Sequence, residues 1–524
     1  MGWLALHDCQ LSAATQQELP KLRAADPRWR PAWDASADHS NESRGGSVSV
    51  NTDASKILDA PLAELIPLAA EHTKHPFFEF TEYRPFDGLV KERPFRALSS
   101  LSWEARNGRY PTRFWQSALT EWPDDASNRL RCLFALRLVR LPSESIFDLR
   151  YYIPQWFRTN FPKLAKGSYQ KYLLLWDAVV DQFFALGPEG SGSALGDTSV
   201  GGKPLKRSRR THDHSINSPI GKLAETLFNV LNDLKPSAGQ GLPKDLRLRL
   251  ERLFNAPVEG ADYAVCETTI RLRWLFYIDP QWVTKRVIPF FDLDHPRAEP
   301  AWNGYLHDNE LPIAELFALL KPHLLRAFPH SSSWAWGDGP IRRLNEFLVV
   351  ACYWNLKDHR YISYTEARSA LQQATEEGRE HAIWFLTHIV SDLNEWKKFG
   401  KPFVQKAWPR ERNYQTSTSS RNFAHLAEEA GDHFSDVVKT ILSLLGPVDH
   451  VDVLIYEGKR DGGDQSTALA TRFPDAMLSL LDRIVPDGSP VPPHDLRLIL
   501  EMIATAGPTL RQDERWRRLD AIAG

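Results

Sequence analysis

Apolar residues recur at a helical period along most of the chain, and the strict alternation that a half-buried strand requires is almost missing. No other feature constrains the fold so strongly. Leu130, Leu133, Phe134, Leu138 and Leu141 stand at i, i+3, i+4, i+8 and i+11. Arg129, Arg131, Arg137 and Arg140 take other positions, which predicts an amphipathic helix with a basic outer surface. Tyr169, Tyr172, Leu173, Trp176, Val180, Phe183 and Phe184 repeat the pattern behind Ser168, a residue suited to capping the helix start.

Boundary signals agree with the periodicity. Ser218-Pro219 opens a helix, because proline fits the first turn where its missing N–H costs nothing. Leu223, Leu227, Val230, Leu231 and Leu234 line its inner face, and Lys235-Pro236 closes it. Ser363-Tyr364-Thr365-Glu366 matches a capping box and should start one long helix reaching Phe399, with Ala382, Leu386, Ile389, Leu393 and Trp396 as its core stripe. The best strand is Val451 to Tyr456, and one isolated strand cannot build a sheet. The expected fold is all-α: an irregular α-solenoid of stacked helical hairpins in two blocks joined by flexible linkers.

Two polar stretches suggest where the blocks divide. Residues 1–55 read as an N-terminal segment and linker, its polar part running from Ala35 to Ser55. A helical domain follows at 56–186, then a disordered basic linker at 187–217, then a helical C-terminal domain at 218–524. Trp3, Trp29 and Trp33 precede any regular segment, as if a domain began upstream. Cys9, Cys132, Cys266 and Cys352 are far apart and form no C-x-x-C pair, so neither a disulfide framework nor a zinc module is expected. Cys132 and Cys352 fall inside apolar runs and read as small buried hydrophobes. The N-terminus has no signal-peptide or myristoylation pattern, and no apolar run is long enough to span a membrane. A cytoplasmic setting is the expectation. With 64 Lys+Arg against 66 Asp+Glu, a surface that binds nucleic acid all over is excluded.

The search for chemistry returns weak candidates. Asp449 or Asp452 with Glu457 and Lys459 resembles the metal site of PD-(D/E)xK nucleases, where carboxylates hold Mg²⁺ and lysine positions water. The spacing is poor, because Asp452 and Glu457 would point to opposite faces of a strand. His381, His388 and Asp392 share a helix face, yet the two histidines lie about two turns, roughly 10 Å, apart, too far for one metal. Gly196 to Pro204 fails the phosphate-loop spacing and reads as linker. The basic run Lys203 to Arg210 could touch phosphates but more commonly marks a solvated loop. Asp292-Leu293-Asp294-His295 reads as an inter-helix loop. No nucleophile elbow, zinc helix or dinucleotide loop occurs, so no catalytic, cofactor-binding or metal residue is assigned and no cofactor is expected.

Three blocks of the C-terminal half carry a resemblance. They are Arg273-Trp274 to Trp282 with Ile288 to Asp292 and Ala301 to Leu306; Phe403 to Arg412 with Ser419-Ser420; and Thr471 to Ala476 running on to Arg515-Trp516 and Leu519. Together, over about Asp262 to Gly524, they resemble the helical domain that trails sirtuin-like domains in bacterial proteins that look like anti-phage defence factors. A weaker likeness extends upstream through Phe86-Asp87-Gly88 and Phe114-Trp115. The resemblance implies a scaffold or sensor working with a sirtuin-like, NAD-hydrolysing effector. It also implies a phage protein as trigger, and assembly with further copies. The chain lacks the Gly-rich dinucleotide loop and the βαβ alternation, so no sirtuin catalytic residue carries over. It is then either the C-terminal piece of a split protein or the partner of a separately encoded effector. Trp274, Trp282, Trp302 and Trp408 read as packing anchors, and Asp279-Pro280 and Phe473-Pro474 as helix starts. The expected role is non-enzymatic recognition or assembly, with a metal-dependent nuclease or a nucleic-acid-binding module as the alternatives.

Overall fold

The computed structural model describes residues 12–25, 49–73, 81–166, 168–197, 199–308, 310–331, 333–448, 468–487 and 496–524. Cys9, the three early tryptophans, the Val451–Tyr456 strand and the nuclease-like Asp449, Asp452, Glu457 and Lys459 lie outside them. Among the described residues the protein is all-α, built from packed helical hairpins. Strands are confined to two short pairs, β1 (Ser49–Asn51) with β2 (Thr81–Tyr83), parallel, and β3 (Ser199–Val200) with β4 (Lys203–Pro204), antiparallel.

The chain divides into two compact units, residues 1–125 and 126–524. In the first, α1 (Leu62–His72), α2 (Pro85–Glu92), α3 (Pro94–Arg106) and α4 (Thr112–Thr120) pack on one another. Pro85 and Pro94 each occupy a first turn, where no donor is lost. Gly88 lets α2 lie against the backbone, since a Cβ there would meet the Thr52 carbonyl oxygen at 1.8 Å.

The second unit opens with α5 (Asn128–Leu138), α6 (Tyr152–Ala165) and α7 (Tyr169–Ala185). After the β3–β4 hairpin come α8 (His212–Ile216), α9 (Pro219–Asp233), α10 (Lys244–Leu253), α11 (Gly260–Thr269) and α12 (Leu272–Ile278). Then follow α13 (Ala298–Asp308), α14 (Ala314–Ser331), α15 (Asp338–Trp354), α16 (Tyr364–Gln373), α17 (Glu376–Asp392), α18 (Lys401–Lys406), α19 (Ser417–Glu429) and α20 (Phe434–Ile441). The end is α21 (Pro474–Ile484), α22 (Leu496–Ala506) and α23 (Glu514–Ala523). Helices α6, α9, α11, α13, α15, α17 and α19 pack one on the next in a single row. A second row runs alongside it, with α14 on α16, α16 on α18 and α18 on α20. Alternate helices stacking in two rows is the solenoid arrangement.

The row explains why no boundary falls at 187–217. Helix α6 packs directly on α9 across that segment, and Arg158 pairs with Glu225 at 3.0 Å. The Trp176 indole also donates to the Leu223 carbonyl. The expected split into 56–186 and 218–524 is therefore replaced by a division after Asp125.

Local signals set several helix ends. The Ser218 hydroxyl accepts from Gly221 N–H at 2.9 Å, and Lys235, at φ +48°, turns the chain out of α9. The Ser363–Glu366 capping box is formed in both directions. The long helix expected from it is broken, however, into α16 and α17. The break comes at Ala374, and Thr375 caps a new start by accepting from Gly378 N–H. Ala382, Leu386, Ile389 and Trp396 are buried as expected, whereas Leu393 is exposed because α17 has ended and Asn394, at φ +52°, redirects the chain. In α5, Arg131 is buried rather than on the basic outer surface, held by the Asn160 amide oxygen and the Ala126 carbonyl. Cys266 and Cys352 are buried; Cys132 is only partly so.

Candidate functional site

Charge is most densely coupled where residues 207–216 lie on α11 and α13. Arg209 donates to Glu259 at 3.0 Å. Arg210 grips Asp262 through two nitrogens, at 2.8 and 3.1 Å, and reaches Glu299 at 3.4 Å. Two parallel bonds from one guanidinium are among the stronger polar contacts a protein makes. Arg207 donates to the Trp336 carbonyl at 2.7 Å, and Ser208 to Glu299. The arginine end of the basic run expected as a solvated, disordered loop is thus docked, because three acidic partners on α11, α13 and the turn before α11 neutralise Arg209 and Arg210, while Lys203 and Lys206 stay exposed. Gly196 to Pro204, read as linker, contains the β3–β4 hairpin, with Gly201 and Gly202 at φ +57° and +76° forming its turn.

Beneath this layer lies a buried polar network. Glu267, 1% exposed, receives Arg271 at 2.7 Å and sits 2.9 Å from the Ser215 hydroxyl and 3.5 Å from His212 Nδ1. The His212 backbone N–H donates to the Asn303 side chain at 2.8 Å, and its ring lies 4.1 Å from that of His307. Burial, and next the charge of His307, lower the His212 pKa to about 4, so the ring is neutral at pH 7. The helices can approach because α13 carries Gly304, where a Cβ would meet the Cys266 carbonyl oxygen at 2.4 Å.

A cavity of 350 Å³ opens beside the docked segment, lined by Arg207, Ser208, Thr211, Asp213, His214 and Trp336 among others. His214 is also held below its ordinary pKa, first by burial and then by Arg209. Its Nδ1 has no hydrogen-bond partner among the described residues. A neutral imidazole can move a proton, but the only serine lining the cavity, Ser208, is bonded to Glu299 rather than to the ring.

The first unit holds a separate cavity of 210 Å³, lined by Glu82, Arg84, Asp87, Arg113, Ser117 and Glu121 among others. Asp87 is 5% exposed, and burial raises its pKa above the ordinary carboxylate value, against the Ser117 hydroxyl bond that lowers it. Arg84 donates to Glu82 at 2.5 Å and stands 3.9 Å from Asp87.

The residues singled out from sequence fall elsewhere. His381 sits 3.7 Å from Glu377, and His388 bonds the Trp384 carbonyl, so the structure does not bring them together on one ligand. Asp292 and Asp294 pair with Arg326 at 3.3 and 3.2 Å in a loop between helices. Trp282, Trp302 and Trp408 are buried packing anchors, and Trp274 is partly exposed. Trp302 packs edge-on against Phe291 at 4.9 Å and donates to its carbonyl. Asp279 and Phe473 stand at helix starts, with Pro280 and Pro474 next to them. Among the described residues, no group of three or more His, Cys, Asp or Glu could hold a metal ion, and no helix is long and apolar enough to cross a membrane.

No family model and no solved structure matches the chain. Over 339 residues it is 24% identical to the uncharacterized protein y4cA of Sinorhizobium fredii, an alignment that takes in 60% of this chain. The chain covers 26% of that relative's length.

Proposed function

We infer that the chain is a non-enzymatic scaffold and sensor: the recognition half of a bacterial anti-phage defence system, acting in the cytoplasm with a sirtuin-like, NAD-hydrolysing effector. The observation that supports this reading is the continuous row from α6 to α19, whose densest polar cluster is spent on internal pairing. Stacked helical hairpins of this kind offer long surfaces to protein partners. The resemblance of the three C-terminal blocks supplies the effector class. The alternative in which residues 203–210 grip nucleic acid is weakened because Arg207, Arg209 and Arg210 are already engaged.

The test is direct. The purified chain, incubated with NAD⁺, should leave the nucleotide unchanged. Mixed with a sirtuin-like protein encoded beside it, it should co-elute as a stable complex. NAD⁺ consumption by the chain alone, or separate elution of the two proteins, would overturn the reading.

A further inference from the structure

A groove of 800 Å³ lies between the 239–241 loop, α10 and the turn from Asp279 to Arg286. Its walls are tied down. The Gly239 and Gly241 N–H groups donate to the Tyr277 and Ile278 carbonyls, both at 2.9 Å. One Asp279 oxygen accepts from Trp282 N–H at 2.9 Å, the other from Leu242 N–H at 3.0 Å. The Trp282 indole forms part of the lining, donates to Glu251 at 2.9 Å, and stacks on Phe254 at 6.5 Å. Both acids of the groove are therefore satisfied from within.

Two of its three cations are not. Lys285 and the Arg247 guanidinium form no ion pair or hydrogen bond among the described residues. Arg286 reaches Glu251 at 3.1 Å but is 59% exposed, so water competes for it. The π-helical turn Val283–Val287 is what presents them: Val283 and Val287 point inward, fully buried, while Lys285 and Arg286 stay at the surface. Leu248, 51% exposed on α10, adds an apolar contact in the same groove.

We propose that this groove docks an acidic protein segment, one that places carboxylates on Arg247, Lys285 and Arg286 and an apolar side chain on Leu248. Charge complementarity selects the occupant: Arg247 and Lys285 stand unpaired among the described residues, Arg286 is shared with the Glu251 it neutralises, and Asp279 is held by backbone N–H groups, so the groove carries an excess of positive charge that favours an anionic chain. A nucleic-acid strand fits less well, since it presents only evenly spaced phosphates and would have to pass Glu251 and Asp279 without gaining from Leu248. The inference rests on the scaffold reading and names the chemistry of one partner surface. It fails separately from that reading, because the NAD⁺ measurement does not involve the groove.

The experiment uses the full chain and a labelled peptide of Glu-Glu-Leu repeats, followed by fluorescence anisotropy. Saturable binding that weakens with salt is expected, with little binding of a Lys-Lys-Leu peptide. Charge reversal by Arg247→Glu and Lys285→Glu together should weaken binding about ten-fold or more. Lys285→Gln, on a fully surface side chain, should give a smaller loss with an unchanged melting temperature. No binding of the acidic peptide would overturn the proposal, as would binding indifferent to both variants. Tighter binding of a single-stranded oligonucleotide, lost in the same variants, would assign the groove to nucleic acid and overturn it equally.

Discussion

His212 sits against His307 and Glu267, and the charges of Asp213, Arg271 and Glu225 also act on it. Its pKa falls from 6.5 unfolded to about 4 folded. Between those values the unfolded chain takes up a proton that the folded chain refuses. The stability it contributes is complete above pH 6.5 and is lost as pH drops toward 4. The full loss, reached below pH 4, should be on the order of 3 kcal/mol, of which about 2 kcal/mol falls between pH 7 and pH 5. Urea denaturation at pH 7 and pH 5 should show it, and His212→Gln should flatten the difference; the slope will not vanish, because His214, His295 and His323 are lowered in the same sense. An unchanged slope in His212→Gln would refute the assignment. The capping box at Ser363 was legible in sequence because a cap is chemistry within four residues, whereas Ser168, read as a cap, stands at the start of α7 without a side-chain cap bond. The burial of Arg131 was not, since Asn160 lies a helix away.

Helix α11 crosses α13 at Gly304, buried and pressed against Cys266 and Thr269. Gly304→Ala would normally favour a helix, yet here the added methyl meets a carbonyl oxygen at 2.4 Å and cannot be accommodated without separating the pair. A destabilisation of about 1–3 kcal/mol is expected, read as a lower denaturation midpoint. A neutral or raised midpoint would show that the crossing is loose. Element boundaries divide by range in the same way as residues do. Thr375 with Glu376 and Glu377 is a readable helix start, and attending to it would have split the 363–399 helix from sequence alone. The docking of 207–210 offered no such sign: Glu259, Asp262 and Glu299 are 50 to 91 residues away in sequence, so a basic run looks solvated until the row brings them together.

At the scale of the molecule, the row spreads its core along its length instead of gathering it at one centre. Phe291, Trp302, Tyr305 and Phe347 fasten the α13–α15 step, while Trp408 and Phe423 fasten a later one. The helical character of this array was legible from periodicity, but its division after Asp125 was not, because composition shifts at surface loops and not where packing is thin. The β3–β4 hairpin lies on this scaffold without belonging to it. Ser199, Lys203 and Pro204 are exposed, and the turn glycines have nothing within 4 Å of where a Cβ would stand. Arginines 207, 209 and 210 anchor the chain just beyond it, so strain at the tip should dissipate before it reaches α11. A peptide epitope inserted between Gly201 and Gly202 should leave the melting temperature within about 2 °C of the parent; a larger drop would mean the tip bears on the fold. The hairpin is thus a ready-made handle, a place where a tag or tether should be carried without the helices registering the graft.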